Sequence, residues 1–77
     1  MRISCSRCGK RAEAAEENPY RGTPLGERIA KHVCVSCWSE WSEYQLMLIN
    51  EHNLVPAVKE HRAFLVERMK EFLRLPS

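Results

Sequence analysis

Four cysteines stand in the chain as Cys5-Ser6-Arg7-Cys8 and Cys34-Val35-Ser36-Cys37, two CxxC pairs with residues 9–33 between them. Two residues between cysteines let both sulfurs of one turn face a common centre. Two such turns complete a tetrahedral four-sulfur site for zinc or, less often, iron. The separation is longer than the usual span of about 15 to 20 residues. Gly9 favours the metal reading all the same, because the bend that turns backbone N–H groups toward the sulfurs often requires a positive φ, which glycine tolerates. Lys10 and Arg11 follow with positive charge that partly offsets a doubly negative metal–thiolate centre. Four thiolates also close the coordination sphere and leave no place for water. The expected role is therefore structural, one zinc ion per chain on Cys5, Cys8, Cys34 and Cys37.

Two other chemistries use cysteines at this spacing. Disulfide pairing needs an oxidising compartment, which nothing else in the sequence suggests. A thioredoxin-like redox pair needs its CxxC at a helix start inside a βαβ frame, and only the helix start, at Cys34 to Cys37, is present.

The elements that must position the sulfurs follow from local signals. Residues 1–22 carry the first knuckle and a stretch without clean period ending in Pro19-Tyr20-Arg21-Gly22, read as short strands or a hairpin with a loop. Thr23 before Pro24 marks a helix start, so residues 23–33 are a short helix in which Gly26 is a mild cost. Ser36 caps a second helix over residues 36–51, with Trp38, Trp41, Tyr44 or Gln45, and Leu48 on one face. Asn53 to Val55 form a turn, and Pro56 opens a third helix over residues 56–74 with Val58, Leu65, Met69 and Phe72 buried; Pro76 then stops it. The fold class is small α+β, mainly α. A zinc-stapled, treble-clef-like knuckle and hairpin precede three helices, and residues 1–77 form a single domain. A helix start favours the thiolates of Cys34 and Cys37 through its dipole.

With 29% charged and 44% hydrophobic residues, the 77-residue chain has the balance of a globular protein and not of a disordered one. A core this small benefits from a metal staple. No apolar run approaches the ~20 residues of a spanning helix, and Met1 to Arg7 lack the apolar region of a signal peptide, so no membrane association and a cytoplasmic location are expected. The formal charge of +2 falls to near neutral once four thiolates hold one divalent ion, which disfavours a sequence-independent grip on nucleic acid. No Ser/His/Asp set, phosphate-cradling glycine loop or paired carboxylate arrangement is legible, so an enzyme is not expected.

Trp38-Ser39-Glu40-Trp41, then Gln45-Leu46-Met47-Leu48-Ile49-Asn50-Glu51, then Glu60-His61-Arg62 resemble the W-x-x-W, Q-x-M-L-I-N-E and E-H-R of the bacterial iron(II)-trafficking proteins, also called the oxidative damage protection family. Leu25-Gly26-Glu27-Arg28-Ile29 is similar to that family's L-G-x-R-I helix, and Ile3-Ser4-Cys5 to its I-F-C. The resemblance spans residues 3 to about 73. It implies a short hairpin followed by three helices, a role in iron delivery and oxidant resistance, and a thiol function at Cys5, which matches the family's single N-terminal cysteine. Cys8, Cys34 and Cys37 are departures from the family pattern, and they make sense if they converge on Cys5. Iron(II) is then a second ion to consider beside zinc, and the partners are proteins of iron handling, met by a monomer.

Several residues have a plain reading beside a functional one. His32, His52 and His61 could ligate iron with Glu51 or Glu60, but a lone histidine on a small helical protein is more often a surface or capping residue. Trp38 and Trp41 could dock a partner, while burial against the knuckle is the simpler reading. The apolar members of the Met47 to Glu51 block suit a helical core, and Asn50 and Glu51 suit either a helix end or a partner. An alternative function is a zinc-stapled adaptor for a larger protein or RNA-containing assembly, gripping it through Arg2, Arg7, Lys10, Arg11 and Arg21.

Overall fold

The computed structural model describes residues 1–75. Strands β1 (Arg2–Ser4) and β2 (Arg11–Glu13) pair antiparallel, with Arg2 opposite Glu13, Ile3 opposite Ala12 and Ser4 opposite Arg11. Residues 5–10 form the hairpin turn. It closes through Cys5 N–H to Lys10 O at 2.9 Å and Gly9 N–H to Cys5 O at 2.9 Å, and Gly9 takes φ 73°, the left-handed conformation that suits glycine. The hairpin leads straight to the start of the second helix, since Ala14 bridges Cys34 and Ala15 N–H donates to Val33 O at 2.9 Å.

Helix α1 (Pro24–His32) begins as the sequence signals indicate: Thr23 Oγ1 accepts from Gly26 N–H at 3.1 Å and donates to Tyr20 O at 2.6 Å. Gly26 is more than a mild cost to this helix. A Cβ there would collide with the Tyr20 carbonyl oxygen, so only glycine lets the 18–22 loop rest on α1. Helix α2 (Val35–His52) ends in the left-handed C-cap Asn53, φ 51°, and helix α3 (Lys59–Leu73) ends in Arg74, φ 53°.

Two helix starts differ from the sequence reading. Ser36 does not cap α2, because Cys34 is already its extended N-cap residue, held by the bridge to Ala14, and Ser36 lies inside the first turn. Pro56 does not open α3. Val58 N–H bonds Val55 O at 2.9 Å, which puts Pro56 at the second position of a turn, and the helix starts only at Lys59. Val58 is consequently exposed. The expected stop at Pro76 lies outside the described residues; α3 ends at Leu73.

The core gathers Ile3, Cys5, Ala14, Ala15, Ile29 and Val33 from the hairpin end with Cys34, Cys37, Trp41, Leu48, Leu65, Met69 and Leu73 from α2 and α3. Trp41 lies 5.8 Å from Phe72 and 5.9 Å from Tyr44, and Tyr44 stacks on Phe72 at 5.1 Å, so an aromatic cluster joins the two long helices. Trp41 is buried and Trp38 half-buried. Leu48 faces the core, but Leu46 and Met47 face solvent, which places part of the Met47 to Glu51 block outside the core reading. Among the described residues no helix is long and apolar enough to cross a membrane.

Candidate metal centre

Cys5 leaves β1 at the first position of the turn, and Cys8 sits three residues on. Cys34 precedes α2, and Cys37 lies in its first turn. The bridge between Ala14 and Cys34 aligns the two segments, so the turn and the helix start face each other. All four Sγ atoms lie within 4.8 Å of one another, and Cys8 Sγ to Cys34 Sγ is 3.9 Å. Tetrahedral coordination at a zinc–sulfur distance of about 2.3 Å requires sulfur–sulfur separations of roughly 3.8 Å. The donor set therefore fits such an ion with small adjustment. All four cysteines are free, and 3.9 Å is far beyond a disulfide bond.

The electrostatics of the cluster favour a cation. Burial pushes the Cys5 thiol up, but the backbone N–H groups of Cys8, Cys34 and Arg7 and the thiol of Cys37 outweigh it and bring it down to about 6. Burial is the main cause that pushes Cys37 up; the Arg7 guanidinium draws it down, the neighbouring thiols of Cys5, Cys34 and Cys8 add to the rise, and it reaches about 12. Burial also raises Cys34. The cluster thus yields one thiolate readily and resists the next, the condition that a divalent ion among the sulfurs relieves.

The adaptor alternative counts Arg7 among the basic residues that grip a larger protein or RNA-containing assembly. The fold turns it inward instead. Its Nη1 lies 3.6 Å from Cys37 Sγ and 3.1 Å from Glu40 Oε2, and its guanidinium carbon lies 4.3 Å over the Phe72 ring. Its neighbour Ser6 donates from Oγ to Leu73 O at 2.8 Å, and Ser6 N–H donates to His32 O at 2.7 Å. The only sequence signal for these roles is position: both residues lie between the two cysteines of the knuckle, where any side chain must meet the helices that complete the site.

The match to a family model described as bacterial Fe(2+) trafficking covers residues 1–75. The chain belongs to that family. A probable Fe(2+)-trafficking protein of Coxiella burnetii is 43% identical over 72 residues, covering 94% of this chain and 79% of the relative. Probable Fe(2+)-trafficking proteins of Koribacter versatilis and Methylococcus capsulatus are each 40% identical. Their alignments cover 91% and 94% of this chain, and 77% and 79% of the relatives.

Within this Fe(2+)-trafficking fold the histidines stand apart from the sulfurs. His61 Nδ1 accepts the Val55 N–H at 2.8 Å, a loop-closing role, and the His52 ring packs 5.5 Å from Phe64. His32 contributes its carbonyl to the knuckle. Among the described residues, the set of three or more metal-ligating side chains drawn together is the four cysteines, and neither Glu51 nor Glu60 joins a histidine in such a group.

Proposed function

We propose that this family member holds one structural zinc ion on Cys5, Cys8, Cys34 and Cys37 and acts as a non-enzymatic accessory in iron(II) trafficking and protection against oxidative damage. The observation that carries the site is the convergence of four sulfurs within 4.8 Å, three of them buried. A closed four-sulfur sphere suits zinc, with iron(II) the second candidate for the same sulfurs. A hairpin knuckle and a helix start sharing one ion make the arrangement treble-clef-like. Iron(II) handling rests on the family and on its relatives' names. On this reading the protein is a cytoplasmic monomer that meets protein partners.

The adaptor alternative is weakened by the positions of its basic residues. Arg7 pairs with Glu40 and Arg21 with Glu17, so two of the five positive charges are already matched.

Elemental analysis of the protein purified without added metal tests the site. One equivalent of zinc per chain is expected. A chain free of metal that also fails to bind added zinc or iron(II) overturns the reading. For the cellular role, a strain lacking the gene should be more sensitive to redox-cycling oxidants, and equal sensitivity removes that part of the proposal.

A further inference from the structure

The four cysteines are held to different degrees. Cys5, Cys34 and Cys37 are 3%, 1% and 1% exposed, whereas Cys8 is exposed. The backbone explains the difference. Cys34 is bridged to Ala14, and Cys37 lies inside α2. In the knuckle, Cys5 N–H bonds Lys10 O, Ser6 is tied to α1 through His32 O and to α3 through Leu73 O, and Arg7 is tied to Cys37, Glu40 and Phe72. Those anchors stop at residue 7. Beyond Cys8, Gly9 is bonded among the described residues only within its own turn, to Cys5 O, and a Cβ on it would meet none of their atoms within 4 Å, so the space beside Cys8 is open.

Resting on the four-sulfur reading above, we infer that Cys8 is the exchangeable ligand of the centre, the position through which an incoming thiolate takes the metal and through which the metal is loaded. The incoming sulfur approaches over Gly9 and takes the coordination place that Cys8 gives up. The Cys8 thiolate leaves into solvent and takes up a proton there. One metal–sulfur bond forms as another breaks, and no electron is transferred. Cys5, Cys34 and Cys37 keep their places at this step because their backbones are tied to the sheet and the helices. Opening the knuckle at residues 8 and 9 gives up the Cys8 sulfur contacts to Cys34 and Cys37 but none of the hydrogen bonds that tie Ser6 and Arg7 to α1, α2 and α3.

Site-resolved alkylation of the zinc-loaded protein by iodoacetamide reads the order of opening. Cys8 should label about tenfold faster than each of the other three, since access and local opening set the rate. A second measurement follows zinc passing from the protein to a chromogenic chelator, with free glutathione as the small thiolate. Transfer should accelerate with glutathione in the wild-type chain, and Cys8→Ser should release zinc about tenfold faster while keeping its helix content. Uniform labelling, or labelling led by Cys34 or Cys37, overturns the inference while leaving the metal site intact, whereas labelling led by Cys5 overturns the inference and the four-sulfur reading together. Glutathione-independent transfer does the same. A chain that takes up no metal overturns the site reading and this inference together. If Cys8→Ser fails to fold, Cys8 is a structural ligand like the others and the inference is lost.

Discussion

At the hairpin end the buried side chains are mostly small: Cys5, Ala14, Ala15, Val33, Cys34 and Cys37, with Ile3 and Ile29 as the larger exceptions. Between α2 and α3 they are Trp41, Leu48, Leu65, Met69 and Leu73, joined by half-buried Tyr44 and Phe72. A fully buried leucine or methionine contributes about 1.5–3 kcal/mol, and an aromatic pair adds roughly 0.5–1.5 kcal/mol beyond its area. The helix pair therefore has an ordinary apolar reason to stay folded. The hairpin end does not have enough apolar area of its own, and three of its buried groups are thiols. A small fold can be divided in this way between a part that packs and a part that is stapled.

Metal removal is the largest expected effect on that division. Structural zinc in zinc-finger peptides contributes on the order of 10–16 kcal/mol, comparable to the whole stability of a typical small domain. Strong chelator should melt the hairpin and α1 while α2 and α3 partly survive through the Trp41 and Leu73 contacts. Circular dichroism should show partial loss of helix and a lower melting temperature. An unchanged melting curve would mean that the hairpin end holds without a staple, and the contrast between the two ends would disappear.

Single-ligand substitutions come next. If one ion engages all four sulfurs, Cys5→Ser and Cys37→Ser should destabilise the loaded protein by similar amounts, each about 2–5 kcal/mol, as for loss of a buried network member. A Cys5→Ser protein that melts like wild type but protects cells poorly would instead make Cys5 a free, reactive thiol, the role implied by the single cysteine of the family pattern. Alkylation gives the same distinction, because a bound Cys5 should label no faster than Cys8.

Much of this division was legible in the sequence, and the exceptions have physical causes. The two CxxC pairs announce converging sulfurs because ligand chemistry constrains spacing, and Thr23-Pro24 announces α1 because caps are local. The start of α3 is not legible, because a proline suits both the second position of a turn and the first position of a helix. The Val58 N–H bond to Val55 O decides between them. The inward turn of Arg7 is not legible, because a charge run in sequence carries no information about which side chain a turn directs inward. The need for glycine at position 26 depends on the Tyr20 carbonyl, a contact made by a loop with no period to read.

Acidity gives a smaller effect, of opposite sign on the two sides of the ordinary thiol value of 9.0. Cys5 is lowered to about 6 in the metal-free fold, so its stabilisation is complete above about 9 and is lost as pH falls toward 6. Cys37 is raised to about 12. Its fold stays protonated where the unfolded chain ionises, so stability falls as pH rises from 9 toward 12. Cys34 acts in the same direction as Cys37. The fraction of chains that keep the hairpin end folded in chelator should be largest near pH 9 and smaller on either side, as followed by circular dichroism. A fraction that does not vary with pH would overturn this dependence.

The smallest effect concerns the joint between the ends, where Arg7 reaches from the knuckle to Cys37, Glu40 and Phe72. The Glu40 carboxylate is more than half exposed, so that ion pair contributes at most about 1 kcal/mol, and the stacking on Phe72 roughly 0.5–1 kcal/mol. The bond to Cys37 Sγ matters most when the sulfur is a thiolate, because a guanidinium then faces a full negative charge. Arg7→Gln should therefore lower stability by about 1–2 kcal/mol with metal bound and by less without it. Arg7→Lys keeps the charge but cannot reach sulfur, carboxylate and ring with one planar group, so it should restore only part of the loss. The checking measurement is the difference in melting temperature between loaded and chelated protein for each variant. If Arg7→Gln lowers both by the same amount, Arg7 acts by packing on Phe72 alone, and the two ends are joined by apolar contact and the Ser6 bond to Leu73 without help from the charge beside Cys37.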